Sequence, residues 1–408
     1  MKILHIFDDY GTPGERALAG EGSVPTVVYY LAKYAAEKGH DVTILERDFG
    51  TLPKEEEIDG IRYIRINADK LPAAPYKLIR SPAGLMRLFS DSVSMALKID
   101  RFLKKEDFDV IHVHFPFAAC ILVNVDRKVR EKMVYTAHIG DEGKRLGVVK
   151  EAPFILKIFS PDIHLISRVS RVTVMHEGLK SKLISNFKID PDRIFVIPHG
   201  IDIESLDKAR QKIENEEKDK ERITILSATR IVPEKGIHIL MKSIDLLVNK
   251  IGYKKIVTIL TGDTSHNPNY FKRIEKFIHS RKLEDHVKFL GNIKYEELLK
   301  LYHKSDIFVY PLISEGGVSI AILEALAAAK PVIATNIGGL STQVKDGWNG
   351  FLVEPRNEVQ LAEKLRYLID NEGEREKMGR NSRKLAEDEF DWSKITDKYL
   401  EVYWGLRK

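Results

Sequence analysis

The sequence alternates short apolar runs with longer amphipathic stretches, and this alternation constrains the fold more than any other feature. Near the start, "KILHIF" is followed by a glycine-containing loop, the helical pattern "VPTVVYYLAKYAAEKG" and a second apolar run, "HDVTIL". Similar runs recur at "DVIHVHF", "KMVYTAHI", "RVTVMH" and "RIFVIPHG". Because strands that alternate with helices form parallel sheets covered on both faces, we predict an α/β fold.

The alternation is interrupted once, at residues 204–222, where "ESLDKARQKIENEEKDKER" is almost wholly polar. It resumes with "ITILSAT", "KIVTILTG", "DIFVYP" and "PVIATN". A chain of 408 residues is also longer than one core of ~150 residues usually requires. We therefore predict two doubly wound, Rossmann-like domains joined by a solvated connector or an exposed helix.

Composition excludes several classes of protein. The 65 basic residues nearly balance the 60 acidic ones, so the chain has no strong nucleic-acid footprint. Cys120 is the only cysteine, which rules out an intrachain disulfide or a cysteine-based metal site. No apolar run approaches the ~18 residues of a membrane span, and the first run is too short for a signal peptide, so we expect a cytoplasmic protein. Charged residues at 31% and only three glutamines fit a thermophile.

One carboxylate stands in an apolar setting, within "SEGGVSIAILEALAAAKPVIATNIGG", residues 314–339. Glu324 lies in the middle of the apolar run and must find donors, because an unpartnered buried carboxylate costs several kcal/mol, roughly. One interpretation is a salt bridge to a lysine or arginine. The other is a hydrogen bond from each of two vicinal hydroxyls, as on a ribose.

The residues before that run favour a ligand site. Gly316 and Gly317 allow a ligand to approach the backbone closely, and Ser319 is a plausible N-cap. The start of a helix after glycines is an anion site, because its free N–H groups and its dipole both attract negative charge. Together with Glu324, this pattern could place a phosphate and a ribose at one helix end.

Two cations follow an apolar run in "SATRIVPEKGIHIL". Arg230 and Lys235 are expected at the carboxyl end of a strand, where doubly wound sheets bind ligands. A guanidinium fork and an ammonium point charge together suit a diphosphate, although a plain surface charge pair is the alternative.

Three histidines are candidates for contact with a substrate or for structural roles. His112 and His114 alternate in "DVIHVHF", and we expect one to face the core and the other the end of the strand. His138 ends "MVYTAH", where it could accept a proton or hydrogen-bond a substrate hydroxyl. No residues have the spacing of a metal-ligand set.

Taken together, these runs resemble a known family. The order "TRIVPEKGI", "FLGNI", "SEGGVSIAILEALAAAKPVIATNIGG" and "DGWNGFLVEP" is similar to the donor domain of retaining glycosyltransferases of family GT4, which share the GT-B fold. The first-half runs "GEGS", "EKGHDVTIL", "DVIHVH" and "VYTAHIGDE" extend the resemblance. "FDWSKITDKYLEVY" resembles the family's last helix, which crosses back onto the first domain. The resemblance implies two Rossmann-like domains facing a cleft: an acceptor domain of residues 1–205 plus 390–408 and a donor domain of residues 206–389.

The resemblance also implies roles for individual residues. Arg230 and Lys235 would neutralise the diphosphate in place of Mg²⁺, so that no metal or other cofactor is needed. Glu324 would bind the ribose and Glu315 the transferred sugar, which makes Glu315, with His138 and the two cations, a catalytic candidate. The other donor-binding candidates are Asn292, Ile293, Gly316, Gly317, Val318 and Ser319, and the acceptor-side candidates are Gly22, Ser23, His114 and His138.

This chain departs from the family pattern in several places, among them His199 in "PHGID", where asparagine is frequent. One residue more than usual separates Glu315 from Glu324, which puts Gly316 where the family's first glutamate belongs. In "GGLSTQV", Ser341 and Thr342 replace the family's common proline and glutamate.

The implied function is metal-independent transfer of a hexosyl group, with retention, from UDP-, ADP- or GDP-linked glucose or mannose to a sugar or lipid-linked acceptor. The alternatives are a non-catalytic nucleotide-sugar-binding protein and a GT-B sugar epimerase or phosphorylase. An NAD-dependent Rossmann enzyme lacks support, because position 25 is proline and "GEGS" is not G-x-G-x-x-G. Residues 76–105 mix basic and apolar side chains, which indicates either a core helix or peripheral contact with the inner face of a membrane.

Overall fold

The chain of the computed structural model forms two compact units. Unit 1 comprises Met1–His199 and Trp392–Lys408, and unit 2 comprises Gly200–Asp391. The expected domains, in comparison, are residues 1–205 plus 390–408 and residues 206–389. The structure describes residues 1–9, 23–50, 52–69, 71, 78, 81–138, 160–213, 221–314 and 317–406.

Unit 1 contains a sheet of eight strands in the order β3-β4-β2-β1-β5-β6-β7-β8. All neighbours run parallel except β3 and β4, which form an antiparallel hairpin. The strands are β1 (Lys2–Phe7), β2 (Asp41–Asp48), β3 (Glu55–Ile58), β4 (Ile61–Asn67), β5 (Val110–Val113), β6 (Met133–Thr136), β7 (Arg171–Val174) and β8 (Ile194–Val196). Asp59 and Gly60 turn the hairpin with φ of 53° and 73°, the positive values that a two-residue type I′ turn requires.

The helices of unit 1 include the last one of the chain. They are α1 (Ser23–Glu37), α2 (Pro82–Leu103), α3 (Pro116–Val125), α4 (Arg127–Glu131), α5 (Pro161–Arg168), α6 (Glu177–Phe187) and the terminal helix (Trp392–Trp404). The terminal helix packs on α1, where the Trp392 ring stacks on Tyr30 with centroids 5.7 Å apart. This confirms that the chain returns to its first unit at the end.

Unit 2 contains a wholly parallel sheet of six strands in the order β11-β10-β9-β12-β13-β14. The strands are β9 (Ile223–Ala228), β10 (Ile256–Thr261), β11 (Val287–Phe289), β12 (Ile307–Tyr310), β13 (Val332–Thr335) and β14 (Gly350–Val353). The helices are α7 (Ile203–Gln211), α8 (Ile237–Asp245), α9 (Pro268–Ser280), α10 (Tyr295–Lys304), α11 (Ile320–Ala327), α12 (Leu340–Gln343), α13 (Glu358–Asp370) and α14 (Glu372–Leu385), so that the terminal helix is α15.

The polar stretch at residues 204–222 is in part an element of unit 2. Helix α7 buries Leu206 and Ala209, and Asp207 receives two hydrogen bonds from Arg383, at 2.7 and 2.8 Å. Of the two expectations for this stretch, the helix is the one observed in this half, although it is not wholly exposed, because its apolar face packs on its own unit. Residues 214–220 lie outside the described part of the chain.

Most strands of the two sheets are buried on two faces, which explains why they are nearly continuous apolar runs. The hairpin strands β3 and β4 of unit 1 are exceptions, with exposed or alternating positions. The mixed α/β class with two parallel sheets is thus confirmed. Among the helices of the described residues, none combines the length and hydrophobicity that crossing a bilayer requires.

Candidate functional site

The order of strands in unit 2 reverses between β9 and β12. The chain goes from β9 to β10 on one side and later returns to place β12 on the other. In doubly wound sheets, ligands bind outside the carboxyl ends of the strands at such a switch point. Arg230 lies two residues after β9, while residues 311–314 follow β12 and residues 317–319 precede α11, so the two constellations singled out in the sequence come after neighbouring strands.

The side chain of Lys235 is hydrogen-bonded to the last residue of β12. It closes a single 3₁₀ turn, Pro233–Lys235, and its Nζ donates a hydrogen bond to the Tyr310 hydroxyl at 2.7 Å. Gly236 follows with φ of 69°, and a Cβ at this position would collide with the carbonyl oxygen of Pro311. Glycine is therefore required for the two loops to approach so closely, and this approach brings the ammonium group to the β12 side of the switch point.

The other residues of this sheet edge that were predicted to bind the nucleotide-sugar donor are accessible to solvent. Arg230 and Asn292 are exposed, and Ile293 is half-buried. The loop that carries Asn292 and Ile293 follows β11 and is held to the end of β10, because the Thr261 hydroxyl donates a hydrogen bond to the Gly291 carbonyl at 2.8 Å. All of these residues thus lie at the carboxyl edge of one sheet.

Glu324 lies in α11 and is 4% exposed. Burial raises the pKa of its carboxyl to about 7, and the nearby hydroxyls of Tyr302 and Tyr295 of α10 oppose this rise. No lysine or arginine of the described residues forms an ion pair with it, so within them the salt-bridge interpretation fails. The carboxylate is surrounded by tyrosines and apolar side chains instead, without a countercharge.

The start of α11 is held from outside the helix. Ser319 occupies the N-cap position, as predicted, but its side chain makes no capping hydrogen bond. Instead, the buried Gln343 amide pairs with the Ser319 backbone: the Ser319 N–H donates to Oε1 and Gln343 Nε2 donates to the Ser319 carbonyl, both at 2.8 Å. The first-turn N–H groups therefore lack a side-chain cap. Sequence reasoning missed Gln343, and its position in the atypical "GGLSTQV" was the only available signal.

Several predicted residues cannot be compared with the structure in full. Gly317 and Val318 are half-buried on the approach to α11. Gly22, Glu315 and Gly316 lie outside the described residues, and Ser23 is described only as the first residue of α1.

In unit 1, a group of histidines and threonines, here called the histidine layer, covers one face of the sheet. Its members are His5, His112, His114, Thr136 and Thr173. His5 and His112 are register partners on β1 and β5, and the two-residue period of a strand puts His114 on the same face as His112. Both are buried, with 0% and 1% exposure, so the expectation that one of them faces the end of the strand is wrong.

The layer contains two hydrogen-bonded chains. In the first, His5 Nδ1 lies 3.1 Å from His114 Nε2, and His114 Nδ1 lies 3.0 Å from His138 Nε2. In the second, His112 contacts the Tyr403 hydroxyl of α15 through Nδ1 and the Thr136 hydroxyl through Nε2, both at 2.6 Å. Of the predicted histidines, His138 is half-buried, at the outer end of the first chain.

Burial keeps these imidazoles neutral. It lowers the pKa of His5 to about 3 and that of His112 and His114 well below the usual range. One nitrogen of each lies within 4.8 Å of the others, which is a spacing that a metal ion could use. His112, however, uses both of its nitrogens on hydroxyl groups, so the trio does not fit a metal ion in this arrangement.

Comparisons with known proteins cover both units. The family profile described as "Glycosyl transferases group 1" matches residues 208–385, and the profile "Glycosyltransferase Family 4" matches residues 24–205. An uncharacterized glycosyltransferase of Methanocaldococcus jannaschii is 30% identical over 76% of this chain and 80% of its own length. A D-inositol 3-phosphate glycosyltransferase of Pseudarthrobacter chlorophenolicus is 25% identical over 99% of this chain and 95% of its own. The crystal structure of Anabaena HepE in complex with UDP superposes with a TM-score of 0.72 at 21% identity, covering 99% of this chain and 100% of that one.

Proposed function

Because the chain belongs to the glycosyltransferase family, we propose that it transfers a hexosyl group from a nucleotide-diphosphate sugar to a sugar or lipid-linked acceptor, with retention of anomeric configuration. The bond from the anomeric carbon to the diphosphate breaks, a bond to an acceptor hydroxyl oxygen forms, and the hydroxyl proton passes to the departing phosphate. The observation that carries the proposal is the switch point of unit 2. Two cations follow β9 there, and the helix α11 that comes after β12 has an uncapped start and contains a carboxylate without a countercharge.

The diphosphate is assigned to Arg230, Lys235 and the start of α11. Negative charge grows on the departing phosphate during transfer, and preorganised cations and free N–H groups stabilise it most effectively. Tyr310 holds Lys235 in place before the donor arrives, which reduces the reorganisation that the reaction requires. Since these groups supply the positive charge, we propose that transfer needs no metal ion, and activity should persist in the presence of a chelator.

Glu324 is assigned to the ribose. A carboxylate accepts two hydrogen bonds from vicinal hydroxyls, and this pairing offsets the desolvation that raises its pKa. The loop of Asn292 and Ile293 is assigned to the base, and Glu315 to the transferred sugar. HepE was crystallised with UDP and with UDP-glucose, which supports uridine donors as the first to test.

On the acceptor side, His138 is assigned to hydrogen bonding with a substrate hydroxyl, together with Gly22 and Ser23 at the start of α1. His138 is half-buried at the carboxyl end of β6, whereas His114 is enclosed behind it and acts only through it.

The test begins with a thermal-shift screen of UDP-, ADP- and GDP-linked glucose and mannose. A donor at 100 times its Kd stabilises the folded protein by about 2.7 kcal/mol, which is several degrees in Tm. The donor that shifts the Tm is then incubated with candidate acceptors, and proton NMR of the product reports the anomeric configuration. An inverted product contradicts retention, and the absence of any product with a bound donor favours the non-catalytic alternative. Isomerisation of the sugar without an acceptor indicates an epimerase, and transfer to inorganic phosphate indicates a phosphorylase.

A lipid-linked acceptor is supported by the exposed side of α2. Met86, Phe89 and Leu97 are 70%, 63% and 46% exposed, and their spacing puts them on one face of the helix. Arg87 and Arg101 are exposed beside them. Apolar side chains flanked by basic ones are typical of helices that lie on anionic membranes.

We therefore extend the proposal to peripheral contact of α2 with an anionic membrane surface. Sedimentation with vesicles containing phosphatidylglycerol should pull down the protein, and a Met86→Ser, Phe89→Ser double variant should remain in the supernatant. Vesicles of phosphatidylcholine alone serve as the control for charge. Equal sedimentation of the variant and the parent protein would contradict a role for α2.

A further inference from the structure

The hydroxyl of Tyr302, on α10, is buried and has no hydrogen-bond partner within the part of the chain that the structure describes. Tyr302 as a whole is 0% exposed, and its ring packs on Phe308 of β12 with centroids 5.4 Å apart. The ring is therefore held in place, and water does not reach the hydroxyl. Because a buried donor without an acceptor destabilises a protein, packing alone would favour phenylalanine at this position.

Glu324 of α11 is the group beside this hydroxyl that can accept its hydrogen bond. Burial, and after it the neighbouring charge of Glu324, raises the pKa of Tyr302 well above its usual range, so the two groups lie close together. The hydroxyls of Tyr295 and Tyr310 affect Tyr302 less, and that of Tyr310 already accepts a hydrogen bond from Lys235 Nζ at 2.7 Å. Hydrogen bonds to a carboxylate are stronger than those to a neutral oxygen, so Glu324 is the favoured acceptor.

The surroundings of Glu324 offer hydroxyls in place of cations. Its negative charge is opposed by burial and, among the described residues, is favoured only by the hydroxyls of Tyr302 and Tyr295. Helix α14 also packs on α11, but its Arg383 donates to a backbone carbonyl of α11 and pairs with Asp207 at 2.7 Å. Hydroxyl donors are therefore the available means of stabilising this carboxylate within the protein.

We infer that Tyr302 is a positioning residue whose hydroxyl donates a hydrogen bond to the Glu324 carboxylate when the carboxyl is ionised, a bond that this structure leaves unmade. An ionised carboxylate has about four lone-pair sites, so it can accept from Tyr302 and from two ribose hydroxyls at the same time. Tyr302 thus holds the carboxylate charged and oriented for the ribose without touching the donor itself. The effect on donor binding rests on the proposed function, whereas the pairing of Tyr302 with Glu324 does not.

Removal of this hydroxyl should affect stability and ionisation differently. While Glu324 is protonated, the hydroxyl has no charge to stabilise, so Tyr302→Phe should be at least as stable as the parent protein at pH 5. Once Glu324 ionises, the variant lacks a donor to the charge, so the pKa of Glu324 should rise further, by about 1. The stabilisation by the proton of Glu324, which the parent protein loses as the pH rises through 7, should then be lost at about pH 8 instead.

Urea unfolding of the parent protein and of Tyr302→Phe between pH 5 and pH 9 measures both properties without any ligand. Glu324→Gln, which lacks the titrating group, identifies the part of the pH dependence that belongs to Glu324. Tyr135→Phe is the matched control, because Tyr135 is 1% exposed and its hydroxyl is already paired with Asp162 at 2.6 Å. The control should lose stability to the same extent at every pH in this range and leave the pKa of Glu324 unchanged.

An unchanged pKa of Glu324 in Tyr302→Phe would overturn the inference, whatever the effect of the substitution on stability.

The second measurement is the Kd of the donor that the thermal-shift screen identifies, obtained by isothermal titration calorimetry at pH 7. We expect Tyr302→Phe to raise this Kd about tenfold, the cost of one hydrogen bond to a charged group, and Tyr135→Phe to leave it unchanged. If the pKa of Glu324 rises while the Kd stays the same, the pairing is supported and the placement of Glu324 at the ribose fails. If no nucleotide sugar binds the parent protein, the proposed function fails, and the unfolding experiment without ligand still decides whether Tyr302 pairs with Glu324.

Discussion

The two units bury polar groups in opposite ways. In unit 1, histidines, threonines and tyrosines hydrogen-bond with one another, as His112 does with Tyr403 and Thr136. In unit 2, Glu324 is a single ionisable carboxylate with only tyrosines to favour its charge. A buried network that pairs its own members adds stability and orientation, whereas a buried charge left under-compensated is costly until a ligand supplies the missing partners. On this basis we propose a supporting role for the first region and ligand binding for the second.

The largest effect is expected on the free energy of unfolding, which should depend on pH through the ionisation of Glu324. Its folded-state pKa of about 7 lies above the ordinary value of 4.5, so protonation of this carboxyl stabilises the folded protein. That stabilisation is complete below pH 4.5 and is lost as the pH rises through 7. The loss is on the order of 3 kcal/mol. Glu324→Gln should therefore be more stable than the parent protein at pH 8, should lose this pH dependence and should bind the donor more weakly. Urea unfolding at pH 5 and pH 8, with and without the donor, measures all three properties.

Glu297→Gln, an exposed substitution on α10, is the control for a change of charge alone. If Glu324→Gln is no more stable at pH 8 and binds the donor with unchanged affinity, then Glu324 has found its partners within the protein, and the contrast between the units disappears.

The next largest effect is expected on kcat when Arg230 or Lys235 of unit 2 is replaced. Arg230→Ala and Lys235→Ala should each lower kcat by about 10²-fold or more, because each removes a group that stabilises the departing phosphate. Lys242→Ala provides the control, since this lysine lies nearby on α8 and pairs with Glu358 at 3.2 Å. Steady-state kinetics with the identified donor gives the answer, and wild-type turnover in either variant would disprove the diphosphate assignment.

A smaller effect is expected in the network of unit 1. Tyr403→Phe removes the hydroxyl that contacts His112 and leaves a buried nitrogen unpaired, at a cost of about 1–3 kcal/mol in the free energy of unfolding. Donor affinity should be unchanged. Thermal unfolding and donor titration together check this, with Tyr367→Phe, an exposed tyrosine of unit 2, as the control. A loss of donor affinity without a loss of stability would reverse the roles given to the two regions.

The smallest effect is expected at Tyr310. Tyr310→Phe keeps the ring under Lys235 but removes the hydrogen bond to Nζ, so the ammonium group is less well placed before the donor binds. We expect a several-fold fall in kcat, about 1 kcal/mol, with stability almost unchanged. A fall as large as that of Lys235→Ala would show that the hydroxyl itself contacts the donor.

The architecture was predictable because periodicity determines which elements form. Alternating runs are sufficient for two parallel sheets, and the cations and Glu324 could be placed because glycines mark the loops at strand ends. The hairpin at Asp59 and Gly60 was missed, although "DG" between two strand-like runs is its ordinary signal.

The histidine layer depended on information that no single run contains. The alternation of His112 and His114 already requires a common face, but their contact with His5 depends on β1 and β5 being neighbours. The pairing of Gln343 with Ser319 could not be predicted for a similar reason, since a side chain of α12 meets the start of α11, 24 residues earlier in the chain. Contacts between elements, unlike the elements themselves, have no periodic signature.

The position of α15 imposes an order on biosynthesis. Tyr403 meets His112 across 291 residues, and the whole of unit 2 is translated between them. Until α15 has been synthesised, the part of unit 1 that carries His112 lacks Tyr403. Domains usually fold from the N-terminus as they emerge, but here unit 1 can be completed only after the whole of unit 2 has been translated.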